Sequence, residues 1–189
     1  MNESEDTFRT AIELNPQNAL AYYKLGMVLA QDPTRLREAE AAYQKAIELE
    51  PNNAQYIYRL GLLLHENLYR LREAEIAYRQ SIALAPEDPF FYSGLISLLV
   101  QQSRQAEALP FSGKMRAMLS ATENWYGLAA LDAILGNTEA AIEYLRHAAR
   151  DVNFNRHWAR DDPDLSSIRN DLRFDEIVVA AGQAPPLTI

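Results

Sequence analysis

A 35-residue internal step constrains this chain more than any other feature, because a sequence that repeats itself folds as similar units stacked on their neighbours. Pro16, Pro51 and Pro86 are spaced by 35, and Ile12, Ile47 and Ile82 keep the same step. Leu25-Gly26 returns as Leu60-Gly61, and the hexapeptide RLREAE stands at 35–40 and again at 70–75. Residues 17–51 aligned without gaps on 52–86 share 17 identities in 35, where average residue usage gives on the order of two. The two segments are a duplication.

Inside each unit the apolar residues follow helical spacing: Leu25, Val28 and Leu29, then Leu36, Ala39, Tyr43, Ala46 and Ile47. Between the two runs, QDPT at 31–34 offers Asp32 and Thr34 as caps around Pro33, which suits the start of a helix. Pro51 then ends the second run, since proline cannot continue a hydrogen-bonded turn. Each unit therefore reads as helix, turn, helix, proline.

These residues resemble the tetratricopeptide repeat family, whose pattern is W-x2-L-G-x2-Y, then A-x3-F, then P. The first full unit supplies Tyr22, Leu25, Gly26, Leu29, Ala39, Tyr43, Ala46 and Pro51. The second supplies Ile57, Leu60, Gly61, Leu64, Ala74, Tyr78, Ser81 and Pro86. Small residues at Gly26, Ala39 and Ala46 would let helices approach, with Tyr43 filling the space between them. The resemblance implies an all-α, right-handed superhelical solenoid of antiparallel hairpins, with nine to ten helices.

The organisation expected from this is one continuous solenoid. Residues 1–16 form the second helix of an incomplete repeat, followed by repeats at 17–51 and 52–86, diverged repeats at 87–120 and 121–151, a capping segment at 152–181 and a tail at 182–189. In the third unit Ser112 stands where an aromatic is expected, and Pro110 and Gly113 predict a second helix that starts late, kinks or is partly irregular. The segment at 157–178 is similar to the terminal segment after the last repeat of many bacterial proteins of the family. Trp158, Leu165, Ile168, Phe174 and Ile177 would cover the final pair, because an end unit otherwise exposes an apolar face.

Charge and composition narrow the function. A formal net charge of −8 disfavours binding to a phosphate backbone, which needs clustered Lys and Arg. The chain has no cysteine, which removes disulfides and thiolate metal sites and makes the cytoplasm the expected location. The polar, acidic start MNESEDTFRT is unlike a secretion signal, and no apolar stretch approaches the roughly 20 residues that span a bilayer. His65, His147 and His157 show no paired ligand spacing, and His65 reads as an ordinary solvated histidine at the far edge of a groove. Asp161, Asp162 and Asp164 around Pro163 suit helix capping better than metal or acid–base chemistry. No phosphate loop or serine elbow is present, so no catalysis, cofactor or metal is expected.

In this family the first helix of each unit builds the concave wall. Core-facing Leu25, Leu60 and Leu95 fix the register, which puts Leu20, Tyr23, Lys24 and Met27, then Gln55, Tyr58, Arg59, Leu62 and His65, then Phe90 on that wall. Tyrosine and arginine are enriched at binding hot spots, so the expected occupant is a peptide or helix of a partner protein with an acidic group beside an apolar anchor. The RLREAE arginines and glutamates read as exposed ion pairs along a helix. Two other functions fit the half-hairpin at 1–16: a sensor or assembly region cut from a larger multidomain protein, or a homo-oligomerisation module in which that helix packs on a second copy.

Overall fold

A computed structural model describes residues 3–179; the expected tail at 182–189 lies outside the described residues. The fold is all-α, with no strand among the described residues. The chain divides into two compact units, Met1–Leu98 and Leu99–Ile189.

The first unit contains α1 (Glu3–Leu14), α2 (Ala19–Leu29), α3 (Leu36–Leu49), α4 (Ala54–Leu62) and α5 (Leu71–Leu84). Neighbouring helices pair as hairpins, α2 with α3 and α4 with α5, and α3 packs on α4. Equivalent asparagines start the first helix of each repeat: Asn18 accepts from the Ala21 N–H and Asn53 from the Gln55 N–H. The LG motif has a packing cause. A Cβ at Gly26 would lie 2.8 Å from the Tyr43 ring, and one at Gly61 would lie 2.9 Å from Tyr78, so only glycine admits the aromatic of the second helix.

The two repeats differ in the turn that joins their helices. Asp32 caps a 3-10 turn, Pro33–Arg35, as its residues predict. The second repeat has Leu68 where the first has Pro33, and there α4 continues as a π-turn over Leu63–Asn67, closed by Leu68 N–H to Leu63 C=O at 3.1 Å.

The RLREAE motif does more than decorate a helix. Arg35 and Arg70 do pair three residues on, with Glu38 and Glu73. Each also reaches back thirty residues, Arg35 to Glu5 on α1 and Arg70 to Glu40 on α3. Glu5 is buried, and hydrogen bonds from Arg35 and then Arg9 hold its carboxyl down to about 2. The expected surface pairs are thus also ties between successive repeats.

Beyond α6 (Ser93–Gln101), the second unit contains α7 (Gln105–Ala121), α8 (Trp125–Ile134), α9 (Thr138–Ala148), α10 (Arg156–Asp161) and α11 (Leu172–Val179). Eleven α-helices among the described residues exceed the nine to ten expected, because the closing segment folds as two short helices joined by a 3-10 turn, Pro163–Ile168. The expected late start of α7 is not seen: the helix begins at Gln105 and runs through Pro110 without a break. Ser112, buried in place of an aromatic, donates to the Leu109 carbonyl.

The closing segment covers the α8–α9 hairpin with Leu165, Ile168, Phe174 and Ile177, all buried in one core with Ala129, Ile142 and Leu145. Trp158 departs from its expected covering role and is 56% exposed. Polar ties add to this packing, from Ser167 Oγ to the Ala133 carbonyl and from Arg173 to Glu139. Asp132, buried on α8, accepts from both Nη atoms of Arg116 and from Asn137.

Candidate functional site

In the first unit, α2 and α4 with the π-turn leave a cavity of about 270 Å³, floored by Tyr43 from α3. Three of the residues predicted for the wall line it: Met27, Arg59 and Leu62. Gln31, Glu66 and Asn67 line it too and were not foreseen. Their sequence signal is present in retrospect, since Gln31 and Glu66 stand one helical turn beyond Met27 and Leu62. The π-turn that brings Glu66 and Asn67 to the cavity lies where the second repeat has Leu68 in place of the first repeat's Pro33.

Arg59 is the chemically distinctive member. Its Nε is buried without a hydrogen-bond partner, although a guanidinium donates through five N–H groups and gains little from an apolar wall. Burial pushes the Tyr43 hydroxyl up to about 12 against the opposing charge of Arg59, so it remains a protonated donor. The cavity thus sets the Arg59 cation, the Glu66 carboxylate and the amides of Gln31 and Asn67 beside the apolar surface of Met27 and Leu62, and burial raises the Glu66 carboxyl against the charges of His65 and Arg59.

Other predicted wall residues are placed differently. Tyr23 is buried and stacks on Tyr56, with ring centroids 4.7 Å apart. Tyr58 is buried against Tyr78 and Phe90, and its hydroxyl meets Ser93 Oγ at 2.9 Å. Both tyrosines are packing residues. Lys24 lies over the Tyr23 ring at 5.6 Å. Leu20, Gln55 and Phe90 are exposed. His65 is buried and meets the Tyr78 hydroxyl through Nδ1 at 3.2 Å, which corrects its reading as a solvated histidine: the π-turn rotates it into the hairpin.

The acidic group around Pro163 is resolved as structure. Asp162 caps the 3-10 turn through the Asp164 N–H and accepts the Tyr126 hydroxyl at 2.5 Å. No group of three or more His, Cys, Asp or Glu among the described residues could hold a metal ion. No helix of the described residues is long and apolar enough to cross a membrane.

Paired helices on a 35-residue step, with a glycine on one helix receiving an aromatic from the next, define a helical-hairpin repeat protein. The family description "Tetratricopeptide repeat" matches residues 7–41, 42–76 and 122–150, together just over half of the chain. The chain belongs to the tetratricopeptide repeat family, whose members are protein-interaction scaffolds.

Solved structures agree on the fold. YrrB, described as a TPR protein with an unusual peptide-binding site, is 18% identical with a TM-score of 0.55, over 93% of this chain and 92% of that one. The Cut9–Hcn1 hetero-tetramer of APC/C is 18% identical with a TM-score of 0.62, over 95% of this chain and 39% of that one. A MamA structure is 22% identical with a TM-score of 0.55, over 64% of each chain. The chain thus spans a little under two thirds of that MamA structure's length. No curated protein matches the chain.

Proposed function

We propose that this protein holds a peptide or helix of a partner protein in the α2–α4 groove of its first unit, an acidic group of the partner meeting Arg59 and an apolar side chain resting on Met27 and Leu62. The observation that carries the reading is the buried, unpartnered Nε of Arg59 beside a cavity of about 270 Å³. An unsatisfied buried donor costs about 1–3 kcal/mol, which an incoming carboxylate recovers through charge-assisted hydrogen bonds. Exposed Leu20, Gln55 and Phe90 extend the surface available to a longer segment. A peptide-binding site in the similarly folded YrrB supports the same use of the fold. A chain without cysteine fits a cytoplasmic setting.

Peptide-display selection on the full chain tests this. Enriched sequences should carry Asp or Glu beside a large apolar residue, and Arg59→Gln should bind them about tenfold more weakly or worse with unchanged helicity. Enrichment of sequences without an acidic residue, or binding indifferent to both Arg59→Gln and Met27→Glu, would remove the groove from the account.

A further inference from the structure

The second unit carries a larger cavity of about 380 Å³ that the α2–α4 groove does not involve. Its walls are aromatic: Trp125 and Tyr126 open α8, Phe154 precedes α10, and Trp158 lies within it. The rings brace one another. Tyr126 lies 5.0 Å from Trp158 and 6.1 Å from Phe154 between centroids, and Trp125 stacks on Tyr144 at 6.0 Å. The Tyr126 hydroxyl bond to Asp162 fixes the central ring from behind.

Two carboxylates, Glu123 and Asp151, also line this cavity, and no Lys or Arg does; His147 lines it against Trp125, with ring centroids 5.1 Å apart, and turns its Nε2 to Glu143 at 3.5 Å. Neither lining carboxylate makes an ion pair among the described residues; Asp151 Oδ1 accepts only from the backbone and side-chain nitrogens of Asn153. Trp158 keeps 56% of its surface exposed and Trp125 36%, a large outlay of apolar area for residues with no covering role. The nearby Arg156 shows the preference of these rings: its guanidinium lies 5.2 Å from the Phe154 centroid while it donates to the Ala149 and Ile177 carbonyls.

The geometry points to a recognition site for a basic side chain, lysine or arginine, of a partner protein. Ring faces attract a cation through their quadrupoles, and the carboxylates supply the countercharge that an aromatic wall lacks. Charge complementarity decides the occupant, since an apolar anchor would leave both carboxylates facing a desolvated neighbour. Trp125 and Trp158 hold the cation, Tyr126 is a positioning residue, and Glu123 and Asp151 set the sign of what enters.

Trp125 and Trp158 are the two tryptophans of the chain, so intrinsic fluorescence reports on this cavity. The full chain is titrated with an acetylated, amidated tripeptide with central arginine, with the lysine version, and with the version carrying citrulline, the neutral isostere of arginine. The arginine or the lysine peptide should give a saturable change, at an affinity about tenfold or more above citrulline. Asp151→Asn should weaken it about three- to tenfold and Arg59→Gln should leave it unchanged, which separates this site from the α2–α4 groove. Equal binding of the citrulline peptide would make the cavity an apolar docking surface and overturn the proposal. So would the absence of a saturable response, or a shift with protein concentration alone, which would mean a second copy fills it.

Discussion

Arg35 reaches back thirty residues to hold both carboxylate oxygens of Glu5, Nη1 to Oε2 at 2.7 Å and Nη2 to Oε1 at 2.9 Å. The Glu5 side chain is 4% exposed, which keeps the pair from the screening that weakens surface ion pairs. Arg70 and Glu40 repeat the tie one unit later. Arg35→Gln should therefore lower the thermal midpoint by roughly 2–4 °C. Lys45→Gln, which breaks only the exposed pair with Glu48, should leave it nearly unmoved. Calorimetry on the two variants checks the contrast.

Acid should weaken the protein over a definite window. The Glu5 and Asp171 carboxyls are held down to about 2 by hydrogen bonds, from Arg35 and Arg173 foremost, and Glu38, Glu73 and Glu139 are lowered by their arginines. A carboxyl with a depressed folded pKa binds protons first in the unfolded state, so its stabilisation is whole above the unfolded value, near 4.5 for Glu5 and 3.8 for Asp171, and is lost as pH falls towards about 2. Urea midpoints should fall steadily over that interval, and the slope should be shallower in Glu5→Gln. A midpoint that rises on acidification would contradict the assignment.

Two glycines should respond oppositely to alanine. Gly61→Ala places a Cβ 2.9 Å from the ring of Tyr78, which is wholly buried and cannot withdraw, at a cost of about 1–3 kcal/mol. Gly113 in α7 meets nothing within 4 Å, and Gly113→Ala should stabilise by about 0.5–1 kcal/mol through helix propensity. Equilibrium urea unfolding separates the two signs.

Tyr58 should behave as a core residue. Tyr58→Phe removes the hydroxyl contact with Ser93 and should cost about 1 kcal/mol. Tyr58→Ala also empties the space among Tyr78, Phe90 and Phe91 and should cost about 3–5 kcal/mol. Peptide affinity of Tyr58→Phe should stay at the wild-type level.

Asp132 anchors the second unit. Asp132→Ala strips Arg116 and Asn137 of their shared acceptor and should destabilise by about 2 kcal/mol, since Arg116 remains partly open to water. Thermal unfolding followed by circular dichroism measures the loss.

The repeat step, the hairpin grammar and the family were all legible in the residues, because helix periodicity, proline stops and a glycine facing an aromatic are written at fixed offsets. Met27, Arg59 and Leu62 were legible as a shared face by register alone. Register places a residue on a helix face but does not say what stands opposite, and this is why Tyr23, Tyr58 and His65 were expected on an open wall and lie buried. Their partners come from other elements, Tyr56 from α4, Phe90 from the 3-10 turn Pro89–Phe91 and Tyr78 from α5. The same limit hid the reach of RLREAE. A spacing of three residues announces Arg35 with Glu38, whereas Glu5 becomes a partner only when α1 packs beside the repeat. Local sequence determined the helices, their caps and their faces, since these rest on interactions within a few residues. Tertiary structure decided which faces are closed, where the π-turn opens a cavity and where two tryptophans stand exposed, since burial depends on which helices meet.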